Sequence, residues 1–254
     1  MEKRKVQQIT RKPFEGVLNI IRFNWHFYAL ALLAFIFLGG ILFFVPGSFT
    51  LIPLLSLILI GVPIFTSLAA SFWVYDCSNL YQIPWIASLS INPEANLLVV
   101  NAGFDEFSPI LKQRFPKANI QTADFYDPKK HTEVSIKRAR KIFPPAAENV
   151  AIETHQLPFE DDQFDFVFII FAAHEIRDDI ERHKFFEELN RVCSKNILVT
   201  EHLRDGYNFL AYTLGFTHFL PLETWKQTFQ KANLKLKDKI KTTPFVNTFI
   251  LENK

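Results

Sequence analysis

The longest apolar stretch of the chain lies near its N-terminus. The segment from Phe23 to Tyr75 contains no Asp, Glu, Lys or Arg, and a break at residues 46–48 (Pro-Gly-Ser) divides it. The 21 residues before this break would rise about 31 Å as a helix, which matches a hydrocarbon core of about 30 Å. We therefore predict a transmembrane helical hairpin over residues 23–75, with helices at about 25–45 and 49–74.

Basic residues flank one side of this hairpin. Residues 1–22 contain six Lys or Arg and two Glu, whereas the break at 46–48 carries no charge. Cytoplasmic flanks of membrane spans carry an excess of Lys and Arg, so both termini and the domain that follows are predicted to be cytoplasmic. This indicates a multi-pass protein of the cytoplasmic (inner) membrane, with the lipid bilayer as a partner. A monotopic insertion or a buried pair of soluble helices is the alternative, although neither run has the polar face of a soluble helix.

Short apolar runs alternate with helical periodicity beyond this hairpin. Residues 76–94 are predicted to form a juxtamembrane connector, and residues 95–254 a separate domain. Strands are predicted at 97–101, 119–124, 149–153, 164–170, 196–200, 234–241 and 245–252, with helices at about 103–115, 133–143, 181–193 and 222–232. This alternation predicts an α/β fold: a doubly wound, Rossmann-like sheet that ends in a C-terminal antiparallel β-hairpin.

Charge and cysteine content exclude several classes of protein. The formal net charge of +2 comes from the basic N-terminal segment, and residues 23–254 carry a net charge of −2. A body that is not basic argues against nucleic acid as a partner. Two cysteines, Cys77 and Cys193, are too few for a disulfide scaffold or for a zinc site by themselves.

The ends of the predicted strands carry polar groups. In a doubly wound sheet, ligands bind at the carboxyl ends of the strands. A glycine after the first strand lets a ligand approach the backbone, and an acidic residue that ends the second strand can accept hydrogen bonds from ribose hydroxyls. The sequence therefore predicts an adenosine-type ligand. The residues at these ends are Asn101, Ala102, Gly103, Asp124, Glu153, Ala172, Ala173, His174, Glu175, Glu201 and His202.

A longer motif points to a family. Residues 157–192 read LPFEDDQFDFVFIIFAAHEIRDDIERHKFFEELNRV, and ILVTEHLRD follows at 197–205. This order resembles class I S-adenosylmethionine-dependent methyltransferases of the ubiquinone/menaquinone-biosynthesis type. The resemblance covers about residues 95–254 and implies the class I methyltransferase fold, with S-adenosylmethionine as cofactor. It does not cover the hairpin.

The resemblance assigns cofactor roles position by position. The family's acidic, glycine-rich loop falls on residues 99–105, where only the middle glycine, Gly103, survives; Gly103 and Asn101, which replaces the first glycine, are the candidate binding positions. Asp124 falls on the ribose-binding acid, Glu153 falls on the acid that contacts the adenine amino group, and Ala172 lies beside the cofactor. The chain departs from the family pattern at the loop ends, where Val99 and Asp105 stand. It departs again at 193–195, where Cys-Ser-Lys replaces the usual Pro-Gly-Gly.

His174 is the candidate general base, because its unperturbed pKa lies near neutrality. Glu175 and Glu201 are candidates to orient it or to bind substrate. The alternative is that His174 and Glu201 are structural partners that link adjacent strand ends. Metal-ligating residue types occur here, but they lie far apart in the sequence, and no metal site is predicted.

The expected activity is methyl transfer to a small-molecule or lipid-like acceptor near the membrane face. The departures in the glycine loop favour an alternative, a catalytically inactive methyltransferase-like scaffold or ligand-binding module on the membrane. Residues 206–220 are rich in aromatic side chains and are either a lid over an apolar substrate or a core helix. The acceptor and the oligomeric state are not specified by the sequence.

Overall fold

A computed structural model describes residues 11–253. The predicted basic segment 1–22 therefore lies partly outside the described residues. The described chain combines an N-terminal helical hairpin with an α/β domain. Its helices are α1 (Glu15–Phe23), α2 (Trp25–Phe44), α3 (Leu51–Phe72), α4 (Ser108–Arg114), α5 (Val134–Ile142), α6 (Asp179–Val192), α7 (Gly206–Tyr212) and α8 (Leu222–Lys231). Its strands are β1 (Asn96–Asn101), β2 (Asn119–Asp124), β3 (Val150–Ala151), β4 (Phe164–Ile170), β5 (Cys193–His202), β6 (Leu234–Lys241) and β7 (Val246–Asn253).

The hairpin consists of α2 and α3, which contact each other. A 3₁₀ turn at Gly47–Phe49 joins them, and a π-helical turn at Trp73–Cys77 follows α3. Both helices are long and apolar enough to cross a membrane, and their most apolar windows are only 0% and 6% buried within the protein. Many of their large apolar side chains are therefore exposed on the surface of the protein.

A short helix that the sequence pattern did not predict, α1, docks at the base of the hairpin. The Asp76 carboxylate accepts hydrogen bonds from the backbone N–H groups of Gly16 and Val17, both at 2.8 Å. This satisfies two of the free donors at the start of α1. Gly16 permits the close approach, because an added Cβ would lie 2.3 Å from Cβ of Tyr75.

The connector after the hairpin covers one face of the sheet. Leu80, Ile83 and Trp85 are buried there against β1 and β4, and the rings of Trp85 and Phe168 lie 6.0 Å apart. Helices α6 and α8 cover the opposite face around Phe185 and Leu189. The sheet is thus buried on both faces, as parallel sheets require.

The sheet has the order β3-β2-β1-β4-β5-β7-β6. The first five positions are parallel, whereas β7 runs antiparallel to β5 and to β6. The order reverses between β1 and β4, which is the switch point where doubly wound sheets bind ligands. The predicted fold class is confirmed: a Rossmann-like sheet with a C-terminal antiparallel β-hairpin, preceded by an apolar helical hairpin.

The sequence motif at 157–192 has a structural basis in α6. The backbone N–H of Leu157 donates to Oε2 of Glu188 at 2.8 Å, and Arg191 donates to the carbonyls of Leu157 and Phe159 at 3.0 and 2.8 Å. Arg191 also pairs with Glu188 at 2.8 Å. Two residues of one helix therefore hold the Leu-Pro-Phe turn that precedes β4.

Candidate active site

Four strands end at one edge of the sheet. Asn101 and Asp124 are register partners at the ends of β1 and β2, and Ile170 and Thr200 pair near the ends of β4 and β5. The residues that follow these ends therefore share one edge. The predicted site residues at this edge are Asn101, Gly103, Asp124, Ala172, His174, Glu175 and Glu201.

The loop after β1 is held by its own polar groups. The Asn101 side chain donates to the carbonyl of Ala123 at 3.1 Å and accepts from the N–H of Gly103 at 3.0 Å. Gly103 has a φ of 96°, which favours glycine, and an added Cβ would lie 2.9 Å from the ring of Tyr126. Any larger residue at position 103 would strain the loop and displace Tyr126.

The two bulky residues of this loop turn away from Gly103. The Asp105 carboxylate accepts from the N–H groups of Phe107 and Ser108 at 3.0 and 2.9 Å, so it caps the start of α4. The Phe104 ring packs on Phe23 and Phe143, with centroids 5.5 and 5.3 Å apart. Phe104 also lines a narrow cavity of 80 Å³ beside the loop.

Asp124 is partnered within the protein. Its buried carboxylate accepts from the N–H of Tyr126 at 2.9 Å and pairs with the Arg140 guanidinium. The guanidinium also lies over the Tyr126 ring, 4.5 Å from its centroid. Tyr126 and Arg140 therefore stand where the resemblance places ribose hydroxyls.

A cavity of 780 Å³ adjoins Tyr126 on the side of β3 and is large enough for a nucleoside. Glu153 lies at its wall and is exposed, with its carboxylate 3.1 Å from Nε2 of His155. Neither Gly103 nor Asp124 lines this cavity. The residue types and their positions fit S-adenosylmethionine, but its ribose can reach Asp124 only when Tyr126 and Arg140 move aside.

His174 lies in a chain of carboxylates and imidazoles. Its Nδ1 lies 2.6 Å from Oε2 of the fully buried Glu201, and its backbone N–H donates to Oε1 of the same residue at 3.2 Å. Its Nε2 lies 3.3 Å from Oε1 of Glu175. Nε2 of His218 also lies 3.3 Å from that oxygen, and Nδ1 of His218 lies 3.1 Å from Glu133.

The carboxylates dominate the protonation of this cluster. Burial lowers the pKa of His174, but Glu201 and Glu175 outweigh burial and raise it to about 10. Burial raises the pKa of Glu175, but His174 and His218 overcome it and hold that pKa well below its usual range. At neutral pH His174 therefore carries a proton and donates hydrogen bonds, and Glu175 is an anion.

His202 differs from His174 because no carboxylate faces it. Burial lowers its pKa to about 4, so the ring is neutral at pH 7. Its Nδ1 lies near two oxygen acceptors, at 3.2 Å from Oδ1 of Asn208 and 3.0 Å from the carbonyl of Phe245, and therefore carries the hydrogen. Nε2 is left to accept from the Tyr75 hydroxyl at 2.9 Å. His202 thus ties the base of the hairpin to the end of β5.

A second cavity, of 420 Å³, lies between this cluster and the helical hairpin. The hairpin base contributes Ser71 and Tyr75 to its wall, while the aromatic segment 206–220 contributes Tyr212, His218 and Phe219. Leu210 and Leu214 of the same segment are exposed. The segment is therefore a wall of the cavity on one side and an apolar surface on the other.

Three residues of this region were missed by sequence reasoning. His218 lies in an aromatic run without a recognisable motif, and Glu133 precedes a basic helix. Tyr75 reads as an aromatic residue at the end of a membrane span. No spacing relates any of them to His174, because the sheet and the hairpin bring them together.

Comparisons with known proteins agree with this geometry. The sequence profile of a methyltransferase domain family matches residues 101–199. No curated protein matches this sequence. Solved structures share the fold, and three of them are described below. Their sequence identities to this chain are low and therefore support the fold alone.

The first of these is an S-adenosylmethionine-dependent methyltransferase from Aquifex aeolicus, which has a TM-score of 0.50 and 16% identity over 69% of this chain and 93% of its own. The PH0226 protein from Pyrococcus horikoshii has a TM-score of 0.52 and 14% identity over 69% and 89%. An O-methyltransferase family 2 protein from Planctomyces limnophilus has a TM-score of 0.50 and 15% identity over 76% and 61%.

The matched residues run from the last residue of β1 to Val199 within β5, so they include Asp124, His174 and Glu175 but not Glu201. The cofactor of this class is S-adenosylmethionine, as the sequence motif implied. The domain that follows the hairpin has the class I methyltransferase fold, and its residues 101–199 match a methyltransferase domain family.

Proposed function

We propose that this protein is a membrane-anchored methyltransferase that methylates a small or lipid-like acceptor at the cytoplasmic face of the membrane. The observation that carries the proposal is the 420 Å³ cavity, which is walled on one side by the hairpin base and on the other by His174 and Glu175. An acceptor in this cavity would lie between the apolar helices and the carboxyl edge of the sheet. The tether would also keep that edge close to substrates in the bilayer.

The cavity suits a molecule with an apolar body and one polar group. Phe104, Phe171, Tyr212 and Phe219 supply aromatic walls, and the charged groups of the lining are those of the histidine–carboxylate cluster. Ligand sites typically combine an apolar lining with a few convergent polar groups. A lipid-like acceptor would therefore enter with its polar end toward Glu175.

The exposed surface of the hairpin supports membrane anchoring. Phe37, Phe43, Phe44 and Phe65 are 68% to 88% exposed. Soluble monomers rarely expose apolar patches larger than a few hundred Å². The excess of basic residues before α2, the first apolar helix, supports a multi-pass arrangement in the inner membrane. Both termini and the domain would then be cytoplasmic.

The cofactor would be held by the predicted positions around Gly103. S-adenosylmethionine supplies a methyl group on a positively charged sulfur. Asp124 would accept hydrogen bonds from the ribose hydroxyls after Arg140 leaves it, and Glu153 would face the adenine amino group. Asn101 would hold the loop after β1 in place to receive the methionine part of S-adenosylmethionine. The small side chain of Ala172 would leave space beside the cofactor.

The protein's own groups would orient the acceptor. Anionic Glu175 can accept a hydrogen bond from an acceptor O–H or N–H and thereby orient it. Glu201 fixes the ring of His174, whose Nε2–H faces Glu175 at 3.3 Å. The base role predicted for His174 requires its proton to leave first. Glu175, whose pKa is held well below its usual range, is too weak a base to take the acceptor's proton and would instead orient the acceptor through a hydrogen bond.

A second candidate function is an inactive, membrane-bound scaffold. The observation that favours it is that Asp124 is paired with Arg140 while Tyr126 covers Gly103. A domain that had lost its cofactor would keep this closed arrangement. The two functions differ in whether the nucleoside site can open.

Calorimetry with S-adenosylhomocysteine distinguishes the two. The full chain in lipid nanodiscs is expected to bind one molecule per chain, whereas a scaffold would bind none at millimolar concentration. A reporter fused at residue 47 tests the topology separately. It is expected to lie outside the cytoplasm, and a cytoplasmic reporter would contradict the proposed orientation.

A further inference from the structure

Three ligand atoms of metal-binding type converge beside the 420 Å³ cavity. Nε2 of His174 and Nε2 of His218 each lie 3.3 Å from Oε1 of Glu175. One ligand atom from each of these residues lies within 4.8 Å of the other two. Two imidazoles and one carboxylate form the donor set of many zinc sites that keep a position free for substrate.

The spacing of these atoms fits a tetrahedral ion. Zinc binds imidazole nitrogen and carboxylate oxygen at about 2.0–2.2 Å, so neighbouring ligand atoms of a tetrahedron lie about 3.3 Å apart. Both distances from Glu175 have this value. The centroids of the two imidazole rings lie 5.0 Å apart with an angle of 75° between the ring planes.

Each imidazole is also held from behind by a second carboxylate. Nδ1 of His174 faces Glu201 at 2.6 Å, and Nδ1 of His218 faces Glu133 at 3.1 Å. A carboxylate on the remote nitrogen fixes the tautomer and turns Nε2 toward the metal, and it is a regular feature of zinc-binding histidines. Both histidines have this arrangement here, although they come from different parts of the chain.

The charge of the cluster favours a divalent cation. Three carboxylates surround the two imidazoles, with nitrogen–oxygen distances of 2.6 to 3.3 Å. This excess of negative charge suits one divalent ion. Arg177 also contributes a positive charge: its exposed guanidinium has Nη2 2.9 Å from Nε2 of His218 and donates through Nη1 to the carbonyl of His218, so it would have to leave the ring when an ion binds.

We propose that His174, Glu175 and His218 bind a divalent metal ion of the zinc type, with the fourth position open to the 420 Å³ cavity. Arg177 withdraws when the ion binds. The ion would take an oxygen atom of the acceptor as its fourth ligand, which points to a hydroxyl-bearing acceptor with an apolar body. That assignment of the acceptor rests on the proposed methyltransferase function, whereas the metal site does not.

The test measures zinc binding by the full chain in detergent. The protein is first stripped of metal with a chelator, and zinc is then titrated into it in the presence of a competing chelator. One ion per chain is expected, with cobalt absorption bands as a direct sign of histidine coordination. His218→Ala and Glu175→Gln are expected to weaken zinc binding at least 100-fold. Glu133→Gln, which changes a half-exposed group behind His218, is expected to weaken it about tenfold.

Two variants serve as controls. His155→Ala removes an exposed imidazole that also faces a glutamate, and Cys77→Ser removes an exposed thiol. Both are expected to bind zinc as the unchanged protein does. Absence of zinc binding at micromolar concentration, or a zinc affinity that is unchanged in His218→Ala or lost in Cys77→Ser, would overturn the proposal.

Binding of S-adenosylhomocysteine to the same samples keeps the two proposals apart. Binding of S-adenosylhomocysteine without binding of zinc would overturn the proposed metal site and support the proposed activity. Binding of zinc without binding of S-adenosylhomocysteine would support the metal site and overturn the proposed activity. Circular dichroism of each variant identifies one that fails to fold, and Glu133→Gln then tests the site in a folded chain.

Discussion

Competition between Arg140 and the cofactor for Asp124 can be measured directly. The Asp124 carboxylate is 5% exposed and Arg140 is 28% exposed, so their ion pair is partly shielded from water. Removal of the Asp124 side chain should weaken cofactor binding, whereas removal of the Arg140 side chain should strengthen it. Asp124→Ala removes the group that receives the ribose, whereas Arg140→Met removes its competitor and keeps a side chain of similar length over Tyr126.

The size of both effects follows from the bonds involved. Two ribose hydroxyls that donate to a carboxylate contribute about 1.5 kcal/mol each, but Asp124→Ala also removes the ion pair that binding must break, so it should cost about 2 kcal/mol, or about 30-fold in affinity. The ion pair that Arg140 must give up is only partly buried and is worth about 1 kcal/mol. Arg140→Met should therefore tighten binding about fivefold.

The assay is calorimetric titration of S-adenosylhomocysteine into each full-length variant. Lys141→Met is the matched control, because Lys141 is an exposed cation of the same helix with no carboxylate partner described. Its affinity should equal that of the unchanged protein. An Arg140→Met variant that binds as weakly as Asp124→Ala would refute the reasoning, since Arg140 would then support binding rather than compete with it.

Further predictions concern stability. Gly16→Val places a Cβ 2.3 Å from Cβ of Tyr75 and should lower the unfolding free energy by about 1–3 kcal/mol in thermal or denaturant unfolding; an unchanged midpoint would mean that α1 does not dock there. Arg191→Met removes the bonds that hold the turn before β4, and its thermal midpoint should fall by several degrees, which an intact midpoint would contradict. His174 has its pKa raised from 6.5 to about 10 by folding, so its contribution to stability is complete below pH 6.5 and is lost as the pH rises to 10. Denaturant unfolding across this range should show that decline, and Glu201→Gln should flatten it; a flat profile in the unchanged protein would contradict the assignment.

Much of the domain was predictable because its strands are continuous apolar runs. β4 reads FDFVFII and is bounded by Gln163 and a turn, so its length and burial follow from the letters alone. β5 is longer than predicted, since Cys193 already pairs with Phe164 directly after α6. Helix α1 escaped prediction because it is short and its stability depends on Asp76, 60 residues away in sequence from Gly16.

The candidate site was predictable in position and not in contacts. The rule that ligands lie at strand ends selected Asp124, His174 and Glu201, and all three lie at that edge. The pairing of Asp124 with Arg140 depends on how a side chain of α5 packs, which no local pattern encodes. His218 reaches Glu175 only because the segment after α7 folds back over the end of β4, and the functions assigned to these residues remain predictions.

Transfer of a labelled methyl group tests the central claim most directly. The full chain in nanodiscs made from a total membrane lipid extract is incubated with zinc and S-adenosylmethionine labelled in its methyl group. Label is expected to enter the organic-soluble fraction, the Glu175→Gln variant is expected to lose this transfer, and the His155→Ala variant is expected to keep it. Label that stays wholly in S-adenosylmethionine, in a chain shown to bind S-adenosylhomocysteine, would contradict a lipid-like acceptor at this membrane face.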